Sequence, residues 1–210
     1  MRRILYFFNT LPHIAMVFIV LAVVVALVIP FLISDGMFMD GQQYACVAKN
    51  LAEGHGSYWY LRFTEIGVGG YPTFHEQPPL MFGMQAVFFK CFGSGFFTER
   101  LYGLLMLIST ILLITEIFRF FVKKNILPKS IGLLPVLLWV LVPVVHWTYA
   151  NNLVEVTMSV FICMSFLFLI KALWGDKNTY MWFSFAAVAI FLASFTKGLP
   201  GIFTLNLSSI

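Results

Sequence analysis

Between residues 35 and 78 the chain places five carboxylates, Asp35, Asp40, Glu53, Glu65 and Glu76, and two of its four histidines, His55 and His75. Only 10% of the 210 residues are charged, so polar chemistry is concentrated here. A carboxylate such as Asp40 could act as a general base, taking a proton from an attacking hydroxyl. Asp40 with Gln43 three residues later also reads as a local helix cap, and the two roles are compatible. His75 and Glu76 could hold a divalent cation, because imidazole and carboxylate both suit zinc or manganese. An ordinary polar loop would carry the same pair. Glu155 stands between two long apolar runs with no opposite charge near it in sequence. Such a position marks function when it lies at membrane depth, and a glutamate at a helix start is also favoured by the macrodipole. Arg100 and Lys197, each at a helix end, could grip a phosphate or anchor their helices by snorkelling. His146, in an apolar stretch, reads as a core or interfacial histidine.

The elements that must position these groups are set by composition. Hydrophobic residues make up 60% of the chain and include 24 Phe, and the mean hydropathy is +0.91. Soluble domains run at about 45–50% apolar and about 25% charged, so a soluble fold is excluded and the lipid bilayer is the solvent. The net charge of +4 sits beside apolar spans and gives no nucleic-acid footprint. Cys46, Cys91 and Cys163 follow no disulfide or zinc pattern.

The expected fold is an all-α, polytopic transmembrane helix bundle. Spans are predicted at about 13–34, 98–121, 130–150, 155–172 and 179–197, with the start of a sixth at 199–210 and an outer loop at 35–97. Within that loop, Tyr44, Val47, Ala48, Leu51 and Ala52 recur at spacings of three and four, predicting an amphipathic helix that Gly54-His55-Gly56 ends. The segment 79–93 is short for a crossing and predicts a re-entrant or surface helix. Tyr58–Phe63 is an aromatic cluster suited to the headgroup level. Gly67–Gly70 lacks the lysine of a phosphate loop and carries no nucleotide role. If 79–93 does not cross, Arg2, Arg3, Arg119, Lys123, Lys124, Lys129, Lys171 and Lys177 share one side of the membrane, eight of the 13 basic residues. The positive-inside rule makes that side cytoplasmic, the N-terminus with it, and puts Asp40, Glu76 and Glu155 outside.

Read in order, these motifs resemble the membrane-embedded C-type glycosyltransferases. The nearest branch is glycosyltransferase family 39, with the protein O-mannosyltransferases and lipid A aminoarabinose transferases. The series is Asp40 with Tyr44-Ala45, Asn50-Leu51-Ala52-Glu53-Gly54, His75-Glu76-Gln77-Pro78-Pro79-Leu80, Glu99-Arg100-Leu101, Asn151-Asn152-Leu153-Val154-Glu155 and Thr196-Lys197-Gly198. It covers residues 13 to 203, which makes the chain similar to the N-terminal part of such an enzyme, whose fragment alone need not be active.

The resemblance implies an inverting glycosyltransferase in which a sugar passes from a polyprenyl-phosphate donor to a hydroxyl acceptor on protein, lipid or glycan. It assigns catalysis to Asp40 and Glu155, and it places Glu76, with His75, where relatives bind metal or substrate. Arg100, Lys197 and Tyr44 are then the expected contacts of substrate and phosphate, and a divalent metal cation is the one cofactor implied. The site faces the periplasm, cell exterior or lumen. A transporter or channel fragment would explain the spans equally well, although the sequence shows no internal repeat. A noncatalytic truncated membrane scaffold is the third reading.

Overall fold

The computed structural model describes residues 13–64, 72–95, 97–129, 132–175 and 178–202. Arg2, Arg3, Lys177, the 67–70 loop and most of the apolar piece at 199–210 lie outside the described residues.

Four helices are long and apolar enough to cross a membrane: α1 (His13–Ile33), α4 (Thr98–Lys123), α7 (Val154–Trp174) and α8 (Thr179–Lys197). At 1.5 Å per residue they measure about 28–39 Å, against a hydrocarbon core of about 30 Å. Phe18 and Leu21 of α1, Ile108 and Leu112 of α4, and Val188 and Phe191 of α8 are exposed. Apolar outer faces of this kind are what contact with lipid tails demands. The chain is an integral membrane protein.

The stretch 130–150 is expected as one continuous span, but its described residues hold two short helices with a break between them: α5 (Leu134–Val140) and α6 (Pro143–Ala150). Pro143 causes the break. It occupies the first turn of α6, and it pushes Val142 into an extended conformation (φ −68°, ψ 119°) that no helix can continue through. The His146 ring closes part of the gap, its Nδ1 donating to the Val140 carbonyl over 3.1 Å. Together α5 and α6 still return the chain along α4 to the end where α1 finishes.

That end is fixed by a cation. Arg100, in the first turn of α4, donates to the carbonyls of Phe31, Leu32 and Gly36, each at 2.8 Å. A cation at a helix N-terminus opposes that helix's own dipole, but here it meets the carbonyl-rich C-terminus of α1, where positive charge is stabilised. Because the C-terminus of α1 and the N-terminus of α4 are tied together, the segment between them leaves and returns at one end of the bundle. It does not cross.

Three small elements fill that segment. Helix α2 (Met39–Glu53) buries Gly41, Tyr44, Val47 and Ala48 and ends at Gly54, whose φ of 85° only glycine adopts freely. A hairpin follows, with β1 (Gly56–Ser57) paired antiparallel to β2 (Tyr60–Leu61) and Tyr58-Trp59 as its two-residue turn. Part of the Tyr58–Phe63 aromatic cluster is thus strand. Helix α3 (Leu80–Phe92) begins after Pro78-Pro79 and buries Met81, Phe82, Gln85, Ala86 and Phe89 against its neighbours. Its 13 residues reach about 20 Å, too short to cross. One apolar core joins all of these to the spans, from Val28 and Leu32 of α1 through Tyr44, Phe74 and Phe82 to Tyr102, Met106 and Val156.

Candidate active site

The site is built on a corner. After α6 the chain turns through Asn151 and Asn152 and enters α7 directly. Asn152 takes a left-handed conformation (φ 52°), which asparagine tolerates better than most residues. The two amides then dock onto the start of α2. Asn151 Oδ1 accepts the Phe38 N–H at 2.7 Å, and Asn152 Nδ2 donates to the Gly41 carbonyl at 3.4 Å. Asn152 Oδ1 in turn accepts from Gln85 Nε2 of α3 at 2.8 Å. A side chain at position 41 would overlap the Asn151 carbonyl, its Cβ only 1.9 Å away, so glycine is what lets α2 approach. This contact seats the first turn of α2, which holds Asp40, on the corner that leads into the first turn of α7, which holds Glu155.

Phe38, rather than Asp40, precedes the first helical residue of α2. The capping reading of Asp40 is therefore corrected: the cap position is Phe38, two residues earlier, where the Phe38 N–H is bonded to Asn151 Oδ1. Asp40 lies inside the first turn and is half-buried, where the helix dipole favours a carboxylate.

Tyr44, one turn further along α2, is the common neighbour. Its ring packs edge-on against Phe74 (6.1 Å between centroids) and Phe82 (5.7 Å). Burial pushes the phenol up to about 12, and the charges of Asp40, Glu155 and Glu76 add to the shift. Three carboxylates from three separate stretches thus act on one hydroxyl. At neutral pH that hydroxyl is protonated and can donate a hydrogen bond to an anionic or sugar oxygen.

Glu155 does have an opposite charge beside it, which its sequence neighbours did not reveal. Helices α7 and α8 form an antiparallel hairpin, so the last residue of α8 returns to the first turn of α7 and Lys197 pairs with Glu155. The ion pair is partly buried, and it supplies a cation next to the carboxylates. Arg100 has a different place from Lys197. Its buried guanidinium clamps α1, so its effect on a bound phosphate would be one of field rather than direct grip. His75 and Glu76 are both exposed, with His75 Nε2 within 2.9 Å of Thr73 Oγ1. Among the described residues no three His, Cys, Asp or Glu side chains are grouped to hold a metal ion.

Gly41, Gln85 and the docking role of the two asparagines are absent from a reading of catalytic residue types. Their signal was nonetheless present, since adjacent amides at the end of an apolar run must find partners once buried.

Fold and site together define a membrane-embedded protein whose candidate carboxylates lie on helix starts that meet at one end of its spanning helices. Residues 76–207, more than half of the chain, match the profile of the dolichyl-phosphate-mannose-protein mannosyltransferase family, and the chain belongs to that family. It is a membrane glycosyltransferase of the C type, akin to glycosyltransferase family 39. The curated proteins and the solved structures gave no match.

Proposed function

We propose that the chain belongs to an inverting enzyme that moves a sugar from a polyprenyl-phosphate donor to a hydroxyl acceptor on protein, lipid or glycan. The observation that carries this reading is the docking of α2, with Asp40 in its first turn, onto the Asn151-Asn152 corner that leads into Glu155, whose carboxylate is paired with Lys197. In the reaction the Asp40 carboxylate takes the acceptor proton as that oxygen bonds to the anomeric carbon. The bond from the anomeric carbon to the phosphate oxygen breaks, and the polyprenyl phosphate leaves with the electron pair. A single displacement inverts the anomeric centre.

Phosphate is already a good leaving group, so a cation matters more than an acid. Lys197 fills that role by exchanging Glu155 for a phosphate oxygen, and the Tyr44 hydroxyl donates to substrate beside it. Glu155 holds Lys197 in place before the donor arrives. His75 and Glu76 would give a divalent cation two protein ligands, with the remainder from donor oxygens. The site faces the outer or lumenal side of the membrane, with the N-terminus cytoplasmic; the charge count along the sequence supports this orientation.

Membranes containing the full-length protein, given a labelled polyprenyl-phosphate sugar and acceptor, should release polyprenyl phosphate and form a glycoside of inverted configuration. Retention of configuration, or release of label without a glycoside, would overturn the mechanism. Movement of intact donor across the bilayer without cleavage would favour transport instead.

A further inference from the structure

We propose that the cavity of about 310 Å³ between the hairpin turn and the 74–79 segment is a sugar-ring subsite, with Trp59 as its stacking platform. The inference rests on the glycosyltransferase reading and adds the residues that select the substrate. The cavity is lined by Tyr58, Trp59, Phe74, His75, Glu76 and Gln77 among others. This set joins aromatic faces to a carboxylate, an imidazole and an amide within one pocket. A pyranose presents the same division, with C–H groups on its faces and hydroxyls around its edge. The faces pack on aromatic rings, and the hydroxyls donate to carboxylate and accept from amide N–H groups. The volume is at the lower limit of small-molecule pockets, which run from about 300 Å³ upward. It suits a sugar ring and excludes several residues of extended peptide.

The platform is held rigidly. The Tyr58 ring sits in the notch left by Gly83 of α3, where a Cβ would lie 2.5 Å from Cε2. Both Tyr58 and Trp59 also pack against Phe195 near the end of α8, at 6.3 and 5.9 Å between centroids. Trp59 nevertheless remains 69% exposed, so much of its indole is available. The cavity adjoins Tyr44 through Phe74, which lines it and packs on the Tyr44 ring with 6.1 Å between centroids. Either the donor's sugar or an acceptor glycan could supply the ring.

Saturation-transfer NMR on the full chain in lipid nanodiscs tests this directly. The probes are the methyl glycosides of mannose, glucose and N-acetylglucosamine and a Thr/Pro-rich peptide. At least one glycoside should receive saturation at its ring protons. Trp59→Ala should weaken it about three- to ten-fold, the loss of one aromatic contact, while Trp59→Phe retains most of the binding. Displacement of the glycoside by polyprenyl-phosphate sugar assigns the subsite to the donor, and co-binding assigns it to the acceptor. Saturation of the peptide alone, or of no probe, would overturn the subsite and leave Trp59 as an interfacial anchor. The readout is binding, so active transfer with no glycoside signal removes the subsite alone. A glycoside signal without transfer in the full-length enzyme removes the proposed reaction instead.

Discussion

Replacing Asp40 with Asn removes the base and leaves the helix intact, because the α2 start is held by the Asn151–Phe38 bond rather than by Asp40. Transfer should fall about 10²–10⁴-fold, the usual contribution of a general base, with unchanged membrane insertion and melting temperature. Near-normal turnover would reassign Asp40 to structure. Tyr44 gives a second test at this scale. Its phenol is raised from 10.0 to about 12, so the stabilisation due to its protonated form is complete below about pH 10. That stabilisation is lost as pH rises through 12, when the phenolate would face three carboxylates. In an alkaline absorbance titration Tyr44→Phe should remove a component near pH 12. An unchanged titration near pH 12 would show that this ring is not buried.

Among the elements, the meeting of α2 with the α6–α7 corner decides whether the site exists. Gly41→Ala should separate them, since the new Cβ would lie 1.9 Å from a backbone carbonyl that cannot rotate away. Overpacking of this kind costs about 1–3 kcal/mol, and proteolysis of the 35–97 segment should become faster while the spans remain protected. Gly95→Ala is the control, with nothing within 4 Å of its Cβ, and should leave proteolysis unchanged. Equal protection of both variants would mean that the corner is not what seats α2.

For the whole molecule, the tie between α1 and α4 makes the 35–97 segment a loop on one side. The turn after α4 must then lie on the opposite side, with Lys123, Lys124 and Lys129. In a background with Cys46, Cys91 and Cys163 replaced by Ser, a cysteine at Asn125 should resist an impermeant thiol reagent applied from outside, and one at Ser94 should react. The reverse pattern would invert the orientation and place the site in the cytoplasm.

The helical class, the ends of α1, α4, α7 and α8, the surface helix at 39–53 and the short α3 were legible in the chain, because each follows from local hydropathy, glycine stops and length. The candidate carboxylates were legible too, as charges in a sequence that has few. The break at Pro143 was readable in principle, since Pro restricts the residue before it, but the apolar run around it concealed the kink. The pairing of Glu155 with Lys197, 42 residues later, was not readable. Nor was the diversion of Arg100 to the α1 carbonyls, or the place of Gly41 against Asn151. These depend on which helix ends meet, and a side chain's periodicity records only that it faces inward, not what it faces. Hydrophobic patterning therefore determined the elements, while close packing at one end of the bundle decided which polar groups could act together.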